Sequence, residues 1–155
     1  MMDAAVPDCF VCRKHLGLEQ VPGGAIFQNS LVYVSHAQLL GRETDHYLGH
    51  LFVEPKRHVP HLAQLSEAEA KEVGLLVTRA AGALQDVLGA EHVYSFVIGD
   101  HFPHIHVHVI GRYPGAPKEF WGTKVDEWPE APRGSHEAIA ALAVKLQKQM
   151  QRYGS

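Results

Sequence analysis

The 155-residue sequence has no apolar run near the roughly 18 residues needed to cross a bilayer, so no membrane-spanning helix is expected. Its opening, MMDAAVPDCF, holds no basic stretch leading into an apolar one; no secretory signal is read there, and the expected location is cytoplasmic. Cysteine is scarce. Cys9 and Cys12 are too few for a disulfide framework and, in a chain that is not exported, suggest a metal site or a redox pair. Positive charge is also short: a formal net charge of −3 gives no general attraction to nucleic acid or to an anionic membrane. Any polyanion that binds must therefore be held by local groups. No internal repeat, low-complexity tract or linker occurs before residue 113. With 46% apolar and 20% charged residues, the composition is that of one globular domain over 1–155.

Histidine is abundant, with 12 residues. It supplies metal ligands, nucleophiles and proton carriers near neutral pH, so the excess points to function before any motif is read.

The pattern of elements is mixed. Ile26-Phe27, a turn at Gln28-Asn29-Ser30 and Leu31–Val34 read as a hairpin, and Tyr47–Glu54 reads as a strand closed by Pro55. Ser66 and Glu69 form a capping box for a helix reaching Leu88, where Gly89 stops it. Val73, Leu76, Val77, Ala80, Leu84, Val87 and Leu88 give that helix one apolar stripe, which is core. Val93–Ile98 and His104–Arg112 read as two further strands joined by a short turn at Gly99-Asp100. Residues 113–134, rich in Pro, Gly and Trp, read as an ordered irregular excursion, and Ser135 caps a second helix over 135–152. One long helix among hairpin-linked strands implies an α+β fold with an antiparallel sheet.

The segment His104-Ile105-His106-Val107-His108-Val109-Ile110 carries the chemistry. In a strand, Ile105, Val107 and Val109 would face the core while His104, His106 and His108 line the other face, about 6.6–6.8 Å apart. In a helix the same residues would spread over roughly 400°, and the β-branched partners would be poor choices. Two other readings of the strand remain: a solvated outer face that happens to use histidine, and a tris-imidazole metal site, whose ligands usually come from different strands. Cys9-Phe10-Val11-Cys12 has the spacing that lets two thiolates share one zinc, although redox pairs share that spacing.

His-φ-His-φ-His-φ-φ, with φ an apolar residue, resembles the signature of the histidine-triad (HIT) superfamily. Gly49-His50-Leu51-Phe52-Val53-Glu54-Pro55-Lys56-Arg57-His58 is similar to that family's G-H-x-L-V-x-P-K-x-H block, with Phe52 at the Leu position. The resemblance runs from residue 9 to about 113. The remainder, 114–155, is an extension in which VDEWPEAPRG looks like a subfamily signature. The resemblance implies a HIT-like antiparallel sheet with one long helix packed on it and a C-terminal helix, and a homodimer paired across the sheets. It also implies attack by His106 on a nucleotide α-phosphate, with His108 holding phosphate oxygens and His50, His108 and Asn29 contacting the nucleotide. A neutral imidazole is a good nucleophile, and the phosphoramidate it forms is labile enough to be hydrolysed next, with no metal needed at the phosphate. The expected activity is a nucleotide hydrolase or transferase, with dinucleoside polyphosphates such as diadenosine tetraphosphate favoured. Nucleoside phosphoramidates, or a binding module with little turnover, are the alternatives. By similarity to bacterial members, Cys9, Cys12, His58 and His104 would hold one structural zinc.

Three features depart from the family's pattern. Ala37, after Ser35 and His36, stands where relatives often carry Asp or Asn for the ribose, and Asp45 in the longer loop is a candidate replacement. Gly99-Asp100-His101-Phe102-Pro103 replaces a Gly-rich loop, with His101 at a Ser/Thr position as a candidate general acid or clamp on the leaving group, or else a surface or packing residue. Lys118–Arg133 lies outside the smaller members' pattern. His15, His36, His46, His61, His92 and His136 are expected at the surface. Arg112 and Lys56 are either aids to polyphosphate binding or simply solvated.

Overall fold

A computed structural model describes residues 8–154; the expectation about a leader rests on residues outside these. The chain forms α1 (Phe10–His15), β1 (Phe27–Gln28), β2 (Val32–His36), β3 (His46–Tyr47), β4 (His50–Pro55), α2 (Glu67–Leu88), β5 (His92–Phe96), β6 (Val107–Arg112), β7 (Arg133–Gly134) and α3 (His136–Gln151). Five strands make an antiparallel sheet in the order β1-β2-β4-β6-β5, and β3 with β7 makes a separate two-stranded ribbon. The fold is α+β, as expected.

One face of the sheet is the core. Val32, Val34, Leu51, Val53, Val107 and Val109 meet Leu76, Ala80 and Leu84 of α2 and Leu142, Leu146 and Met150 of α3. The predicted stripe of α2 is therefore what the sheet receives. Ser66 accepts from the Glu69 N–H while Glu69 returns to the Ser66 N–H, and Gly89 ends the helix with φ 68°. Hydrogen bonds from Arg57 hold the Glu69 carboxyl at about 2, so the same carboxylate ties the start of α2 to the segment after β4.

The other face carries the alternate residues: His50, Phe52 and Glu54 on β4, His108 and Ile110 on β6. Part of it is covered by the excursion, where Tyr47, Ile110, Val125 and Ala131 form a second cluster with Tyr113 and Trp128. The excursion is ordered, as expected, and β7 at its end pairs His46 with Gly134.

Several boundaries differ from the expected ones. The β6 ladder begins at Val107, not His104: the chain bends at His104, and the Ile105 N–H donates to the Val59 carbonyl at 2.9 Å rather than to a strand; β5 ends at Phe96, so the connection runs from Val97 to His106 and is no tight turn. The strand expected over Tyr47–Glu54 is broken at Leu48-Gly49. Gly49 has φ 98°, which favours glycine, and a Cβ there would stand 2.7 Å from Leu88 Cδ1. The short helix α1 falls where only the Cys-x-x-Cys spacing had been read.

Candidate functional site

Cys9 opens α1 as its N-cap, its sulfur accepting from the Cys12 N–H at 3.4 Å. One turn of helix thus aims both thiols at the sheet. There Cys9 Sγ lies 3.4 Å from His104 Nδ1, and Cys12 Sγ lies 3.5 Å from both His58 Nδ1 and His104 Nδ1. All four donor atoms fall within 4.8 Å of one another. A tetrahedral zinc with bonds of about 2.3 Å to sulfur and 2.0–2.1 Å to nitrogen needs S···N separations of about 3.6 Å, so the set fits a closed Cys2His2 centre. His104 Nε2–H donates to the Pro55 carbonyl at 2.7 Å, which leaves Nδ1 bare for a metal. Burial lowers the His104 pKa to about 4 and keeps the ring neutral, as a ligand must be. The two cysteines are not bridged.

Two residues on, His106 Nδ1–H donates to the His104 carbonyl at 2.8 Å, which leaves Nε2 as the bare nitrogen. His106 and His108 share a face, with ring centroids 5.3 Å apart, while Ile105, Val107 and Val109 are in the core. Both histidines line a cavity of about 250 Å³ walled by Phe10, Val11 and Lys14 of α1, Phe52 and Glu54 of β4, and Ile98–Phe102 of the connection, with Gln38 and Leu40 at one side. His101 is exposed at the rim, and Phe102 packs between Phe10 and His106, with ring centroids 5.6 and 6.1 Å away.

His108 stacks on Phe96 and its Nδ1 meets His50 Nε2 at 2.9 Å. Burial, with the neighbouring His106, lowers the His108 pKa to about 4, against an upward pull from Glu54. His50 is pushed well below the ordinary imidazole value, first by burial and then by the surrounding histidines.

At the cavity wall Glu54 is flanked by Lys14 and His15. Lys14 Nζ is 2.9 Å from one oxygen of Glu54 and His15 Nε2 is 3.0 Å from the other. Burial alone would raise the Glu54 carboxyl, but Lys14 and His15 outweigh it and hold it at about 2. Neither Lys14 nor Glu54 was anticipated. Glu54 follows His50 and Phe52 at period two, a signal that was available; Lys14 had none without α1.

The structure does not gather every residue named from the sequence. Asn29 holds the β1–β2 turn through Oδ1 and reaches Glu72 of α2 through Nδ2, and it does not line the cavity. Asp45 pairs with Arg133 at 3.0 Å, so Gln38 is the polar residue at that wall. Arg112 lies over the Trp121 ring at 3.7 Å and donates to Tyr94 Oη, and Lys56 donates to Gln28, so both are engaged in the fold. His36 and His15 are not surface residues, His36 being fully enclosed and the His15 side chain 6% exposed, and His46 is partly buried, its side chain 18% exposed. Each is drawn in by a partner, since His36 Nε2 accepts from the Gly49 N–H, His15 serves Glu54, and His46 meets His50.

Residues 28–115 match the HIT domain family. A nitrilase and fragile histidine triad fusion protein of Caenorhabditis elegans is 29% identical over 111 residues, covering 62% of this chain; the chain spans about a quarter, 24%, of that relative. Among solved structures, a hypothetical histidine triad nucleotide-binding protein of Sulfolobus tokodaii superposes with TM-score 0.71 at 19% identity, covering 93% of each chain. A zinc-bound histidine triad family protein of Mycobacterium smegmatis gives TM-score 0.69 at 17% identity, covering 95% of this chain and 98% of the other. These likenesses concern the fold, and the matched segment contains His104, His106 and His108, of which His106 and His108 share a face; on that match the chain belongs to the HIT domain family.

Proposed function

We propose that the protein is a nucleotide hydrolase or transferase in which Nε2 of His106 attacks a nucleotide α-phosphate. Dinucleoside polyphosphates, of which diadenosine tetraphosphate is the type, are the preferred substrates. The observation that carries this reading is the hydrogen bond from His106 Nδ1–H to the His104 carbonyl, which leaves the lone pair on Nε2 in a ring that lines the cavity. Phe10, Phe52, Phe102, Leu40 and Ile98 offer apolar surface for one nucleoside, and the exposed rim at His101 leaves room for the leaving portion. His108, on the same face, is placed to hold phosphate oxygens as charge develops.

In the first step the Nε2–P bond forms and the P–O or P–N bond to the leaving group breaks. Water, or phosphate in a transferase, then forms the new P–O bond as the P–N bond to His106 breaks. When bound, zinc supplies structural support and no chemistry: Cys9, Cys12, His58 and His104 would hold it with no open position.

β5 is an open sheet edge, where a second copy can extend the sheet; a homodimer in the cytoplasm is part of this reading. Among the described residues no helix is long and apolar enough to cross a membrane. The test is acid-free denaturation of protein mixed with α-labelled nucleotides bearing polyphosphate or amine leaving groups. Wild type should retain covalent label, and His106→Asn should retain none and turn over slower by several orders of magnitude. His106→Asn keeping about a tenth of the wild-type rate would sink the mechanism. Preference for amine leaving groups would replace the polyphosphate reading by a phosphoramidase, and nucleotide binding with no label would leave a binding module.

A further inference from the structure

We propose that His46, with Glu43 beyond it, is the solvent end of a proton relay that runs through His50 to His108 and serves the reaction at His106. The inference rests on the nucleotidyl-histidine reading above. It begins from three contacts in series: His108 Nδ1 to His50 Nε2 at 2.9 Å, His50 Nδ1 to His46 Nε2 at 3.0 Å, and His46 Nδ1 to Glu43 Oε2 at 3.4 Å. The rings of each successive pair are 5.2 Å apart between centroids and within 29° of parallel, so they meet nearly in line through their nitrogens. His50 spends both ring nitrogens on the chain, so it can take a proton at one only by giving up a proton at the other.

The polarity follows from the far end. An ionised carboxylate only accepts, so His46 Nδ1–H points to Glu43; His50 Nδ1–H then points to His46 Nε2, and His108 Nδ1–H to His50 Nε2. That leaves His108 Nε2 bare, on a ring that lines the cavity. Exposure rises outward along the chain: His50 is 7% exposed, the His46 side chain 18% and the Glu43 side chain 40%.

The chemistry needs such a path at the second step. When neutral His106 attacks, the ring becomes cationic and the leaving group departs with the electron pair, a polyphosphate leaving as its anion with no proton required. When water attacks, its oxygen bonds to phosphorus, the P–N electron pair returns to Nε2 of His106, and one water proton is set free. Accepted at Nε2 of His108, that proton displaces the Nδ1 proton to His50. Repetition of the exchange delivers a proton from His46 to Glu43 or to bulk water. The interior gives it no resting place, because burial holds the pKa of both His50 and His108 below the ordinary imidazole value.

The groups facing the chain are His36 of β2, 6.4 Å from the His46 ring and itself neutral, Glu43 of the loop, and His106 and Glu54 near His108. The Asp45–Arg133 pair spans the ribbon that carries His46.

The holoprotein is assayed in dilute buffer and again with about 100 mM imidazole added, a small base that can stand in for the missing ring. His46→Ala should lower kcat by about tenfold or more in dilute buffer with KM unchanged, and imidazole should restore it. Glu43→Gln keeps an acceptor for the Leu40 N–H and should show a smaller loss of kcat of the same kind. A His46→Ala kcat within twofold of wild type in dilute buffer, or a loss that imidazole does not repair, overturns the relay. In 15N-histidine-labelled wild type, scalar couplings across both N–H···N bonds should be seen, and absence of the His50–His46 coupling overturns the chain whether or not the enzyme turns over. Failure of the nucleotidyl-histidine reading is seen separately, as a wild type that takes up no covalent label.

Discussion

His36 should make the protein acid-labile over a defined interval. It is fully enclosed at the end of β2, where Nε2 accepts the Gly49 N–H at 2.9 Å and Nδ1–H donates to the Ala37 carbonyl at 2.6 Å. A second proton has only Nε2 to go to, so it must break the Gly49 bond and place a charge in the interior. Burial accordingly lowers the His36 pKa from 6.5 to about 4, the Ala37 carbonyl pulling upward and His46 adding to the lowering. Between those values the unfolded chain binds the proton and the native state does not. The contribution is therefore complete above 6.5 and is lost as pH falls towards 4. At about 1.4 kcal/mol per pH unit over roughly 2.5 units, the loss is on the order of 3 kcal/mol. Urea unfolding at constant ionic strength, stepped from about pH 7.5 to about pH 4.5, would measure it. His36→Gln keeps a donor and an acceptor but cannot titrate, so it should be less stable at neutral pH and show a shallower slope by about one proton. The metal ligands also take up protons in this range, but they do so in both proteins and cancel in the difference. Parallel stability curves for the two proteins would refute the reasoning.

Other expectations follow from the same geometry. Elemental analysis of protein purified without added metal should find close to one zinc per chain, and Cys9→Ser with Cys12→Ser should lose it and melt at a lower temperature; full occupancy in that double variant contradicts the assignment. Glu54→Gln leaves Lys14 buried without its counter-charge and should cost about 3–5 kcal/mol in chemical denaturation, so a change below about 1 kcal/mol would show that Lys14 escapes to solvent. His101→Ala should slow departure of amines more than departure of nucleotides, by a margin within the 10²–10⁴-fold typical of general acids, and an equal loss across leaving groups returns His101 to a surface role.

What could be read from residues alone was whatever has a period. Alternation in His104–Ile110 placed His106 and His108 on one face although the strand pairs only from Val107, because an extended backbone alternates whether or not it is hydrogen-bonded. The stripe of α2 and the Ser66–Glu69 box were equally plain. α1 was not, since six residues show no period and its cap is a cysteine rather than the usual Ser, Thr, Asp or Asn. The enclosure of His36 was hidden for a related reason: its partner Gly49 lies on the next strand, across a loop, and nothing local marks that, while His46 meets His50 across the break at Leu48-Gly49, which no period showed. The break at Leu48-Gly49 likewise follows from where Leu88 lies, a matter of tertiary packing.

The placement of α1 makes two ligands answer to each other. Cys9 and Cys12 belong to the candidate metal centre, while Phe10, Val11 and Lys14, on the same short helix, wall the cavity proposed for the nucleotide. Whatever pins the thiols also sets the wall, so metal and nucleotide favour the same arrangement of one short segment. On the proposed reading their affinities are coupled, and by reciprocity each strengthens the other by the same factor. A chelator would weaken nucleotide binding without touching a phosphate contact, and saturating nucleotide would slow the loss of the metal.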